Sequence, residues 1–151
     1  MSESIKIITT NRKARHEYHI SETVEAGLVL QGTEVKALRE GRANLQDAFC
    51  KVEGDEMYLL GAHISPYSHG NLNNHDPVRP RKLLLHRREL GKWKKASEQK
   101  GFTIIPLKLY FKNGIAKVEI GMARGKKLYD KRADIAERDT DRHLDRTLKQ
   151  Y

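Results

Sequence analysis

The chain has 151 residues, 38% hydrophobic and 32% charged, with 29 Lys+Arg against 20 Asp+Glu for a formal net charge of +9. That length fits one domain with one core plus an appendage, since a chain of this size buries roughly two-thirds of its unfolded surface. The lone Cys50 excludes an intramolecular disulfide or a thiolate metal cage, no apolar run approaches the roughly 20 residues of a membrane helix, and Met1-Ser2-Glu3-Ser4 lacks a signal-peptide layout, so a cytoplasmic protein without membrane contact is expected.

The charge is unevenly placed. Residues 1–64 carry 8 Lys+Arg against 10 Asp+Glu, residues 65–128 carry 15 against 4, and residues 129–151 carry 6 against 6. A positive field concentrated in the second half of the folded body is the footprint of a polyanionic partner, because each cation set on a phosphate releases condensed counterions.

In chain order, the first periodic segment is Tyr18–Leu30, where Tyr18, Ile20, Val24, Ala26, Leu28 and Leu30 share even parity. They read as the inward face of one long strand, bulged near Ser21-Glu22-Thr23, which points Glu25 outward. Thr33–Glu40 predicts a short helix with Thr33 as N-cap and Gly41 as its C′ stop. A hairpin is expected across Ala48–Val52 and Met57–Ile64, turning at Glu53-Gly54-Asp55-Glu56, with Cys50 as a small buried hydrophobe.

Ser65–Pro80 is a long polar loop that leads into the densest basic cluster of the body, Arg79–Arg88. His69, His75 and Asp76 match the spacing of no common metal site, so no metal or other cofactor is expected. A helix over about His86–Lys100 carries Leu90, Trp93 and Ala96 at helical spacing, which makes Trp93 a core anchor.

The strongest local signal is Leu107–Ile120, two alternating runs joined by Asn113-Gly114, a pair suited to the two positive φ angles of a type I′ turn. The register then sets Phe111 against Ala116, Leu109 against Val118 and Leu107 against Ile120 on the core side, with Tyr110/Lys117 and Lys108/Glu119 facing solvent. Gly121–Gly125 reads as a flexible exit. About six antiparallel strands with two to three helices favour a mainly β fold, an oligonucleotide-binding-type barrel over residues 1–124. Residues 125–151 form a charged tail.

Templates for nucleotide loops, zinc proteases and serine hydrolases are all missing, so a non-enzymatic protein is expected. Asn11-Arg12-Lys13-Ala14-Arg15-His16-Glu17-Tyr18, Glu25–Lys36, Arg81–Leu85 and Gly125-Lys126-Lys127 through Asp130-Lys131-Arg132 closely resemble, in order and spacing, the bacterial tmRNA-binding family, small protein B. The resemblance implies a monomeric partner of tmRNA in trans-translation. Such a protein binds the tRNA-like domain, supports its charging by alanyl-tRNA synthetase, and enters stalled ribosomes with it and elongation factor Tu. It further implies that Asn11, Arg12, Lys13, Arg15, His16, Glu25, Arg81, Lys82 and Leu84 meet the tRNA-like domain.

For the tail, the resemblance implies that Arg124, Gly125, Lys126, Lys127, Tyr129, Asp130, Lys131 and Arg132 serve the decoding centre and the vacant messenger channel. Leu128, Ile135, Leu144 and Leu148 are too sparse to order residues 126–151 unaided, whereas Asp134/Arg138 and Asp145/Lys149 stand at helical i,i+4 spacing. The tail is expected to be disordered when free and helical when held, with Tyr129 stacked on a base and Lys131 and Arg132 on phosphates. The stretch Ile135–Arg142 is unusually acidic for that family, and a competing reading of the basic body is a ribosomal or ribosome-assembly protein that binds ribosomal RNA.

Overall fold

A computed structural model describes residues 4–68 and 74–125. The elements run β1 (Ile5–Thr10), α1 (Arg12–Glu17), β2 (Tyr18–Leu28), α2 (Gly32–Arg39), β3 (Ala43–Asn44), β4 (Phe49–Glu53), β5 (Glu56–Leu60), β6 (His63–Ile64), β7 (Arg81–Leu84), α3 (Arg87–Ser97), β8 (Phe102–Lys112) and β9 (Ile115–Gly125). The hydrogen-bonded order β8-β4-β5-β7-β2-β9 returns to β8 through the β8–β9 hairpin, so six antiparallel strands close into a ring; β1 pairs beside it on β8, and β3 pairs with β6. Closure removes most exposed sheet edge. The thinnest seam is β4–β8, paired at Cys50 and Ile104.

The expected β8–β9 turn is present, with Asn113 at φ 52° and Gly114 at φ 81°. Phe111 opposes Ala116, Tyr110 opposes Lys117, Leu109 opposes Val118 and Lys108 opposes Glu119, as the alternation requires. Beyond that point the structure departs from the expectation. Leu107 is bulged out of register, and Pro106 takes the place opposite Ile120. Proline has no N–H for the ladder, which makes it a natural neighbour of a bulge.

β2 carries a second bulge, at Ser21 between Ile20 and Glu22. A single extra residue reverses the faces of a strand, so the even-numbered set splits. Val24, Ala26 and Leu28 face the interior of the ring with Met57, Leu59, Leu83, Ile104, Val118 and Ile120. Tyr18 and Ile20 instead join Ala14, Ile105, Leu107 and Ala123 in a smaller cluster beneath α1. One sheet thus builds two cores on opposite faces.

Helix α1 is absent from the sequence reading because six residues offer no apolar period. Its N-cap makes it: the Asn11 side chain accepts from the Ala14 N–H at 3.2 Å and donates to the carbonyls of Leu45 and Pro106 at 3.1 and 2.9 Å. Helix α2 begins a step earlier than expected. Gln31, not Thr33, is the N-cap, and its N–H donates to Glu34 Oε1 at 2.7 Å; Gly41, at φ 74°, ends it as expected. In α3, Trp93 is 1% exposed and packs in the main core.

Cys50 is buried, and burial pushes its thiol well above the ordinary range, consistent with a packing role. Gly121–Gly125, expected as a flexible exit, is the ordered end of β9, paired with both β2 and β8. Gly121 lies between the two bulges, and a Cβ there would stand 2.9 Å from Leu107 Cδ1 and 3.0 Å from Ile20 Cγ2. Gly121→Val is therefore expected to cost about 1–3 kcal/mol through overpacking, read as a lower urea midpoint at unchanged m-value. An undiminished midpoint would show that the small core has slack.

Candidate nucleic-acid interface

The pleat dictates what the outside of the ring presents. On the outer face, Tyr110 in β8 opposes Lys117 in β9, Lys117 opposes Gly27 in β2, and Gly27 opposes Leu84 in β7. A parallel row runs from Lys108 through Glu119 to Glu25. Lys82, opposite Tyr58 of β5, extends the same face. Five strands thereby align an apolar side chain, two tyrosines, carboxylates and lysines on one outer face.

Glu25 points outward as expected, with its carboxylate held by the Tyr110 hydroxyl at 2.5 Å and by Lys112 Nζ at 3.5 Å. The Tyr110 hydrogen bond, joined by Lys112 and Lys117, outweighs the cost of burial and holds the carboxyl below the usual carboxylate range. The opposing Glu119 is met by Arg15 at 3.6 Å. Glu56 bonds to Lys82 in a close ion pair and accepts from the Tyr58 hydroxyl at 2.6 Å, and these contacts, Lys82 first, lower its carboxyl too. Tyr110, expected on the solvent side of its hairpin, does face outward but is buried.

Leu84 is 52% exposed although it sits in the apolar run Leu83-Leu84-Leu85, since β7 buries Arg81 and Leu83 and turns the alternate residues out. Arg12, Lys13, Arg15 and His16 are exposed on α1, with Ala14 facing down into the small cluster, and Lys13 lies 3.6 Å from Asp47. Helix and sheet thus combine on the outer side of β2, β8 and β9.

Two residues expected at the RNA surface lie elsewhere. Asn11 is 5% exposed and serves as the α1 cap, and Arg81 is fully buried. Arg81 Nε donates to Glu34 Oε2 at 2.7 Å and its Nη1 to the Ala62 carbonyl at 2.7 Å. Arg79 donates to the same carboxylate through Nε at 2.9 Å and Nη2 at 2.6 Å. Both residues position the surface from within. Beside this anchor the His75 ring bonds through Nε2 to the Ile64 carbonyl and through Nδ1 to the Thr33 hydroxyl, each at 2.8 Å. Sequence reasoning missed Glu34, whose signal was its place three residues after a helix start.

Arg124 stacks its guanidinium 5.0 Å from the Phe102 ring centroid, and Gly125 ends β9. His69 and the tail residues Lys126, Lys127, Tyr129, Asp130, Lys131 and Arg132 lie outside the described residues. Among the described residues no group of three His, Cys, Asp or Glu side chains could hold a metal ion, and no helix is long and apolar enough to cross a membrane.

Glu34 ties the sign of an acid effect. Burial opposes its charge, yet Arg79, the Gln31 N–H and Arg81 outweigh that cost and leave its carboxyl below the ordinary 4.5. A depressed folded value stabilises above the unfolded one and is lost as pH falls through the folded value. Glu34→Gln should cost about 3–5 kcal/mol at neutral pH, because it leaves Arg81 buried without a counter-charge, and should flatten the stability profile below about pH 4.5. Parallel wild-type and variant profiles in urea melts from pH 7 to pH 3 would contradict this. Tyr110→Phe should raise the Glu25 carboxyl, followed by carboxyl carbon NMR.

Residues 8–150 match the family described as SmpB protein. The chain is 55% identical over 147 residues to the SsrA-binding protein of Pelotomaculum thermopropionicum, covering 97% of this chain and 96% of that one. It is 57% identical over 145 residues to the SsrA-binding protein of Geobacillus thermodenitrificans, covering 96% and 94%. A solved chain from work described as "tmRNA-SmpB: a journey to the center of the bacterial ribosome" is 52% identical, with a TM-score of 0.70 over 82% of this chain and 87% of that chain. With these matches running nearly end to end, the chain belongs to the SmpB family.

Proposed function

We propose that this protein binds the tRNA-like domain of tmRNA and carries it to stalled ribosomes for trans-translation, acting by binding and not by catalysis. The observation that carries the reading is its 52% identity and shared fold with the chain from the tmRNA–SmpB ribosome work, over more than four-fifths of its length. The outer face of β8, β9, β2 and β7 supplies chemistry that suits the role. Lys82, Lys108 and Lys117, with Arg12, Lys13 and Arg15 from α1, provide the phosphate contacts that position an RNA. Glu25, kept ionised, accepts hydrogen bonds from base amino groups where a phosphate would be repelled. Leu84 offers an apolar contact to an unstacked base or ribose.

Alanyl-tRNA synthetase and elongation factor Tu are reached through tmRNA. Residues 125–151 are assigned to the decoding centre and the vacant messenger channel, with Tyr129 stacked on a base and Lys126, Lys127, Lys131 and Arg132 on phosphates.

Truncation after Gly125 should leave affinity for a tRNA-like transcript within about tenfold of the full chain, and should abolish tagging on stalled ribosomes. A larger loss of affinity would move the RNA interface into the tail, and normal tagging would remove the tail from the mechanism. Glu25→Lys should weaken specific binding although it adds positive charge. A tighter and still specific complex would reduce the role of this face to its field alone.

A further inference from the structure

Between β7, the β4–β5 turn and α3 lies a cavity of about 390 Å³. That volume falls within the roughly 300–1,000 Å³ of small-ligand sites. One wall is a single helical face, Arg87, Leu90, Gly91 and Lys94, at positions i, i+3, i+4 and i+7. The floor is apolar, from Leu83, Leu84 and Leu85. Arg87 and Lys94 add cations from the helix, and Asp55 and Glu56 line it from the β4–β5 turn, with Glu56 paired to Lys82.

Gly91 is the telling residue. Glycine inside a helix costs roughly 0.5–1 kcal/mol relative to alanine. No packing demands it here, since a Cβ at Gly91 would meet nothing within 4 Å and its φ lies outside the left-handed region. The surface it lines is the cavity, so its missing side chain keeps that wall open.

We infer that this cavity receives one unpaired nucleobase of the bound RNA, turned out of its stack, with Gly91 providing the clearance. The inference rests on the RNA-binding function proposed above and extends that surface past Leu84. The base lies on the leucine floor, as expected of an unstacked base on an apolar platform. Its backbone phosphates meet Arg87 and Lys94, the two lining cations that come from α3. Glu56 is committed to Lys82 and Tyr58, so Asp55 is the carboxylate that meets the base edge. A carboxylate accepts from an exocyclic amino group, which adenine, cytosine and guanine carry and uracil lacks.

The test uses the full chain. Gly91→Ala should raise Tm by about 2–4 °C, as expected for an unneeded helical glycine. Gly91→Leu, which fills the cavity, should remain folded and weaken binding to a tRNA-like transcript about tenfold, the loss of one seated base. In amide NMR titrations, adenosine monophosphate should move the signals of Gly54, Asp55, Leu84, Leu85 and Gly91, uridine monophosphate should do so more weakly, and Asp55→Asn should narrow the difference. A folded Gly91→Leu protein with wild-type affinity would overturn the inference, as would equal responses to the two nucleotides or responses confined to other residues. Failure of the wild-type chain to bind the transcript would instead overturn the function proposed above.

Discussion

The fold depends on a constraint at the middle of β9, where two bulged strands flank an unbulged one. Ser21 in β2 and Leu107 in β8 each insert one residue beside Gly121, whose missing side chain makes room for Ile20 and Leu107. Each bulge reverses the faces of its strand, so residues that begin on one side of the sheet finish on the other. The same three strands can then close a ring around the main core and still offer apolar residues outside it. Helix α1 has a seat only because of that reversal, and with it the basic run from Arg12 to His16 is fixed to the outer face.

A second internal device sets the opposite flank. Glu34 is fully buried and is compensated by two arginines and the Gln31 N–H. A buried carboxylate with one partner is costly, whereas this arrangement satisfies both oxygens and spreads the charge. It joins the start of α2 to the chain entering β7, while His75 and Thr33 add a hydrogen bond beside it. β7 consequently enters the ring with Lys82 and Leu84 turned outward. The arginine richest in sequence context for RNA, Arg81, is spent inside to hold its neighbours outside.

Electrostatics on the outer face is local in character. Glu25, Glu56 and Glu119 are each drawn to a named cation or hydroxyl, so the face is a mosaic and not a uniform positive sheet. Phosphates are attracted by the lysines, while the fixed carboxylates limit how a polyanion can lie on the surface.

Period and turn chemistry determined much of the architecture without any coordinates. Asn113-Gly114 set the β8–β9 turn, Gly41 ended α2, helical spacing put Trp93 in the core, and the polar stretch Ser21-Glu22-Thr23 marked a bulge, although the even-numbered residues on either side of it proved to serve two faces and not one. Those features arise from neighbours in sequence, where a single residue's φ preference or a short periodicity decides the outcome. The motifs also carried the family resemblance, so the class of partner was open to reading. What tertiary structure alone decided was which side of each strand faces water and which polar residues are consumed internally. Asn11 and Arg81 look like surface recognition residues in a basic sequence, yet Leu45, Pro106, Ala62 and Glu34, far away along the chain, supply their partners. Leu84 sits in an apolar run that by itself reads as core; the family resemblance already set it at the surface, and the alternation of β7 turns it to solvent. Long-range closure of the ring creates those partners, and no local pattern encodes them.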